Sequence, residues 1–208
     1  MAKKSILAFA KKLNRPVFTT HEAAMLYRSS LSNASKMLKT LERKGLVFKV
    51  VRGIWAETGN EKLSPYSIIP FLLTKNRAYV SFISALHLHG IIEQIPQEIT
   101  LASIVHTKKI HTKVGTFSIH RIPPSFFDGF DWYKGDGSFL IAEPEKALID
   151  SLYLSTRKKK QFSYFPELYF PKSFSFKKAA RWIKKVPDPR IRSSVEKKLA
   201  EIRNLQAK

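Results

Sequence analysis

The 208-residue sequence predicts an α+β protein. Three observations carry that expectation. Apolar residues in the first sixty positions recur at helical spacing and then give way to two short β-prone runs. The middle of the chain mixes strand-like and helix-like segments, and residues 157–208 return to helical spacing under a heavy load of Lys and Arg. With 44% hydrophobic and 12% aromatic residues against 25% charged, the chain has the apolar content to bury a core.

Taken in order, Ile6, Leu7, Phe9, Ala10 and Leu13 sit at helical spacing, and Pro16 ends that helix. Thr19 to Glu22 fits a capping box, a hydroxyl for the first turn and a carboxylate three residues on, ahead of Ala23, Ala24, Met25 and Leu26. This second helix is short and stops near Arg28. Ser29 or Ser30 can cap a third helix that runs to Lys44, where Gly45 supplies the left-handed residue that closes it. On its wheel Leu31, Ala34, Met37, Leu38 and Leu41 share one face, while Ser32, Lys36, Lys39 and Arg43 cluster on the opposite one. Leu46 to Val51 and Ile54 to Glu57 then read as strands joined by a tight turn at Arg52 and Gly53. Three helices followed by a hairpin predict a winged helix-turn-helix over residues 1–60.

Charge agrees with that reading. The 37 Lys and Arg against 16 Asp and Glu give a net charge of +21, distributed unevenly. Residues 1–60 carry 12 basic and 3 acidic side chains, 61–156 carry 9 and 9, and 157–208 carry 16 and 4. Two basic ends around a neutral middle are what a chain shows when only its ends face phosphate. A recognition helix enters the major groove by its N-terminal end, so Ser29, Ser32, Asn33 and Lys36 suit base edges, and Lys39 and Arg43 suit phosphates. Arg28 at the preceding turn, Arg52 at the hairpin tip and Lys49 beside it complete the candidate set for double-stranded DNA. The competing reading is an amphipathic helix with a solvated cationic face, and the helix alone does not separate the two.

Glu57 to Pro65 collects turn residues and marks an expected boundary between a domain at 1–60 and one at 61–156. Beyond it, Tyr79 to Leu88 reads as a helix closing at Gly90. Glu98 to Val105, Thr116 to Ile122 and Ser138 to Ala142 read as strands, and Pro144 opens a helix reaching Leu154. Little here suggests catalysis. Glu143 and Glu145 flank a proline at a helix start, where acidic side chains suit the positive end of the dipole. His87 and His89 are two apart on a helix and face different ways, so neither they nor the scattered His21, His106, His111 and His120 suggest a metal. Gly135 to Ser138 reads as a turn, with no pair of acidic residues following at a distance that would hold magnesium. The expectation is a protein without catalytic residues, metal or cofactor. Cysteine is absent and no apolar run is long enough to span a bilayer, so a cytoplasmic protein without a membrane partner is expected.

Several blocks, in order, resemble a known family: YVSFISALHLHGI (Tyr79 to Ile91), ITLAS (Ile99 to Ser103), GTFSIHRI (Gly115 to Ile122) and IAEPEKALIDSLY (Ile141 to Tyr153). Together with the N-terminal pattern, over residues 5 to about 156, the chain resembles the AbiEi-type antitoxins of type IV toxin–antitoxin systems, winged-helix transcriptional regulators of viral defence. The resemblance implies an N-terminal domain that binds operator DNA and represses its own operon, and a remainder that counteracts a nucleotidyltransferase-like toxin. Binding to inverted repeats would need a dimer or cooperative neighbours. Two alternatives stand beside it: a protein–protein interaction module, and a stand-alone regulator with no toxin partner.

The basic helical extension, 157–208, lies outside the resemblance. Phe176, Ala179, Ala180 and Ile183 line one helix face, with Lys177, Lys178, Arg181, Lys184 and Lys185 around the rest. After Pro187 and Pro189, a second helix sets Ile191, Val195, Leu199, Ile202 and Leu205 inward. Docking on the core with a solvated basic face and binding of DNA or RNA are both open from sequence.

Overall fold

The computed structural model describes residues 15–73, 76–135, 139–156 and 166–206. The helix expected from Ile6 to Leu13 lies outside them. Among the described residues the protein is mixed α+β, with seven α-helices and two sheets. The chain divides into two compact units: the first takes residues up to 74 with the short stretch His111–Gly115, and the second takes the remainder. None of the described helices is long and apolar enough to cross a membrane.

The first unit opens with β1 (Val17–Thr19), followed by α1 (Thr20–Leu26) and α2 (Leu31–Arg43). Strands β2 (Val47–Val51) and β3 (Ile54–Glu57) form the expected hairpin, and a 3-10 turn at Pro65–Ile68 leads into α3 (Ile69–Leu72). The antiparallel sheet has the order β1-β3-β2, with Phe18 opposite Trp55 and Phe48 opposite Ala56. The sequence reading did not anticipate β1. Three residues are too few to show alternation, and their partner, β3, lies almost forty positions away. Phe18, Ala23, Ala24, Ala34, Leu38, Val47 and Trp55 make the core, with Tyr27 and Leu41 packed against it. Of the α2 residues expected to face inward, Leu31 and Met37 are instead 49% and 37% exposed. They lie at the margins of the arc that Ala34 and Leu38 bury.

The second unit contains β4 (Ala78–Val80), α4 (Phe82–Leu88), β5 (Ile99–Ser103), β8 (Phe130–Trp132) and β9 (Leu140–Ala142), and most of β6 (Lys108–Thr112) and β7 (Gly115–Arg121), whose His111, Thr112 and Gly115 are counted with the first. Three helices follow: α5 (Pro144–Ser155), α6 (Phe176–Lys184) and α7 (Pro189–Gln206). Its six-stranded sheet runs β6-β7-β5-β4-β9-β8. The sheet is mixed, because β5 pairs parallel with β7 and β4 parallel with β9, while β4–β5 and β8–β9 are antiparallel.

Tyr79 and Val80 correct the sequence reading, which placed them in a helix. They are central strand residues, and the helix starts only at Phe82. Both residue types favour the strand that the neighbours β5 and β9 complete. Helix α5 is buried at every position from Glu145 to Ser155 and packs against α4, α6 and α7. The two basic helices thus dock through Ala179, Ile183, Val195 and Leu199, whereas Ala180 and Leu205 face solvent.

Candidate nucleic-acid interface

The cationic side chains of the first unit are positioned from a capped helix pair. Thr19 ends β1 and caps α1: its hydroxyl accepts from Glu22 N at 3.1 Å, and its own backbone N–H donates to Glu22 Oε2 at 2.7 Å. The Glu22 carboxylate also pairs with Arg15. Burial works to raise the Glu22 carboxyl, but the Thr19 N–H, the Arg15 guanidinium and the Thr19 hydroxyl outweigh it and hold its pKa below the ordinary value.

Between α1 and α2 the chain turns within four residues. Arg28 adopts φ +49°, in the left-handed region, its N–H donating to Met25 O at 3.2 Å, and Ser29 N donates to Ala24 O at 3.0 Å. Ser30 then caps α2, its hydroxyl accepting from Asn33 N at 3.2 Å. The cap therefore falls on the second of the two serines considered, which leaves Ser29 half-buried in the turn and Arg28 exposed beside it.

Along α2, Ser32, Lys36, Lys39 and Arg43 are all exposed. At 3.6 residues per turn they fall within an arc of about 60° and span about 16 Å of helix axis. Ala34 and Leu38, fully buried, lie on the other side. Asn33 is exposed about a quarter-turn round from Ser32. Arg43 is steadied by Thr40, to whose hydroxyl it donates at 3.3 Å, while that hydroxyl donates to Lys36 O at 3.1 Å.

The hairpin carries the other two candidates. Gly53, at φ +83°, allows the two-residue turn that leaves Arg52 exposed at its tip. Thr20, the first residue of α1, holds that turn: its N–H donates to Gly53 O at 2.9 Å, and its hydroxyl accepts from the buried Trp55 indole at 2.9 Å. Lys49 is half-buried in β2, and its backbone N–H donates to Glu42 Oε1 at 3.1 Å. Of the candidates, Lys49 and Ser29 are less available to a ligand than the exposed ones. Sequence reasoning missed Thr20 and Trp55 as the residues that hold Arg52, because their pairing spans thirty-five positions.

The three acidic residues between positions 15 and 60 are all engaged. Glu22 holds Arg15 and Thr19, Glu42 accepts from Lys49 N, and Glu57 accepts from Asn60 Nδ2 at 2.8 Å. Among the described residues none of the three is ion-paired with Lys36, Lys39 or Arg43.

The second unit holds a different polar cluster. Asp150 accepts from Ser81 Oγ at 2.7 Å and from Tyr79 Oη at 3.0 Å, and it pairs with Lys146, whose Nζ also donates to Tyr79 Oη at 3.1 Å and lies 3.7 Å from the Phe126 ring centroid. Burial pushes the Lys146 pKa down and the Asp150 pKa up, each partly offset by the other's charge. All four residues are completely buried, so a substrate does not reach them. Their role is to tie α5 to β4. Nearby, Glu145 is likewise structural, accepting from Ser175 N at 3.0 Å where α6 begins, with Lys178 beside it and Glu143.

The chain matches no family model, and its sequence matches no curated protein.

Proposed function

We propose that the protein is a DNA-binding transcriptional repressor whose first unit acts as a winged helix-turn-helix. What carries this reading is the exposed stripe of Ser32, Lys36, Lys39 and Arg43 on α2, opposite its buried face, whose cations have no ion-pair partner among the described residues. In the proposed mode, α2 lies in the major groove with Ser29, Ser32, Asn33 and Lys36 toward base edges, and Lys39, Arg43 and Arg28 toward phosphates. Arg52, held by Thr20 and Trp55, reaches the adjacent minor groove, and Lys49 supports a neighbouring phosphate.

The test is binding of the full chain to duplex DNA from upstream of its own reading frame, titrated across salt. Changing Lys36, Lys39 and Arg52 together to Ala removes three cations from the groove and backbone contact, and lowers the slope of log K against log salt by up to about 2.7, the value if each neutralises one phosphate. Affinity and slope that stay at the wild-type value would sink the proposal.

The order of blocks from Tyr79 to Tyr153 supports a second role in the same protein, that of an AbiEi-type antitoxin counteracting a nucleotidyltransferase-like toxin in the cytoplasm. Co-expression with the neighbouring reading frame tests it: rescue of growth is expected, and failure of the full chain to rescue removes the antitoxin role while leaving DNA binding to be judged on its own assay.

A further inference from the structure

Several cations of the basic helices in the second unit are engaged by the fold. Lys178 pairs with Glu143 and Glu145, Lys185 pairs with Asp128 at 2.5 Å, Lys198 donates to Ser155 Oγ at 2.7 Å, and Arg192 donates twice to Val186 O. These side chains are engaged in the fold. Lys177, Arg181 and Lys184 are different. All three are exposed, and among the described residues none has a carboxylate partner.

Their placement is regular. At positions i, i+4 and i+7 of α6 they form a stripe within an arc of about 60°, on the side away from the buried Ala179 and Ile183. Helix α6 contains no acidic residue. Like charges at three- and four-residue spacing repel, and Lys177 in the first turn also faces the positive end of the helix dipole, so the arrangement disfavours the isolated helix. Solubility alone would be served as well by alternating signs, as on α7, where Glu196 and Glu201 are interspersed with Arg190, Lys197 and Arg203. The stripe extends about 10 Å along the axis, against one phosphate per ~3.4 Å on each strand of a duplex, so three cations meet about three phosphates.

We propose that Lys177, Arg181 and Lys184 form a second nucleic-acid contact, which grips the phosphodiester backbone without reading sequence. It lies on a different unit from the α2 stripe and needs no operator.

The experiment uses the full chain carrying Lys36→Ala, Lys39→Ala and Arg52→Ala, so that the first-unit contact is already removed, and compares it with the same chain further changed at Lys177→Ala, Arg181→Ala and Lys184→Ala. Thermal melting checks that both fold alike, as expected for exposed positions. The probes are a mixed-sequence 30-base-pair DNA duplex, a mixed-sequence 30-nucleotide RNA single strand, and vesicles of phosphatidylserine and phosphatidylcholine. The first chain is expected to retain binding to nucleic acid, and the second to bind measurably more weakly. Between 50 and 200 mM salt, affinity of the first chain falls about 40-fold more than that of the second if the contact is to duplex, and about 18-fold more if it is to single strand. The two figures identify which polymer supplies the phosphates. Equal affinities and slopes for the two chains overturn the proposal, as does a loss seen only with the vesicles. Failure of the first-unit proposal reads out differently, as unchanged operator binding on substitution of Lys36, Lys39 and Arg52.

Discussion

Arg28 and Glu22 show how single residues set the geometry of α1 and α2. A side chain held in the left-handed region carries about 1 kcal/mol of strain, which Gly removes while adding a comparable entropy to the unfolded chain. Arg28→Gly should therefore leave stability within about 0.5 kcal/mol and reduce the salt slope of duplex binding by about 0.9, one phosphate contact. An unchanged slope would take Arg28 out of the interface. Glu22 supplies a pH dependence. Its folded-state pKa lies below its unfolded value of about 4.3, so the stability it contributes is complete above that value and is lost as pH falls through the folded pKa. Melting temperatures measured from pH 7 down to 2.5 should fall less steeply below pH 4 in Glu22→Gln than in wild type. Parallel profiles would show that the capping box carries no such linkage.

At the scale of elements, the hairpin depends on a contact with the start of α1. Thr20→Val keeps the shape and removes the acceptor of the Trp55 indole, leaving a buried N–H unpaired at a cost of about 1–2 kcal/mol. The same change keeps the Thr20 N–H bond to Gly53 O but loosens Trp55, which neighbours the turn in β3, so Arg52→Ala should weaken duplex binding less in the Thr20→Val background than in wild type, a coupling read from a double-mutant cycle. Equal effects in the two backgrounds would mean that Thr20 does not position the tip. In the second unit, Asp150→Ala strands the buried Lys146 charge and should cost about 3–5 kcal/mol by urea denaturation. Lys146→Met combined with Asp150→Leu should recover most of that loss, since neither charge is then left unpaired. Costs that simply add would show the pair to be uncoupled.

For the whole molecule, the informative quantity is where its positive charge stays unpaired. Basic residues are abundant at both ends, but in the C-terminal helices Lys178, Lys185 and Arg192 are engaged with Glu143, Glu145, Asp128 or a backbone carbonyl. Among the exposed cations without a carboxylate partner in the described residues, those of α2 and α6 form stripes along one helix face, and slopes lost by substituting each set should sum to about 5 for the two together. The α2 stripe was legible in the sequence, since a buried face at Ala34 and Leu38 and a cationic face opposite follow from helical period alone. So were the Thr19–Glu22 capping box, the Arg52–Gly53 turn and the start of α5 at Pro144, each of them set within a few residues of chain. Local stereochemistry is enough for such features.

Other features waited on the tertiary structure. The strand at Val17–Thr19 exists through β3, Tyr79 belongs to a strand because β5 and β9 flank it, and Lys146 and Asp150 are a buried pair because α5 is covered on all sides. Which cations of the C-terminal helices are free also depended on partners in sequence-distant segments. Periodicity, capping and turn chemistry reach only a few residues along the chain, whereas pairing and burial depend on segments that only the folded chain brings together.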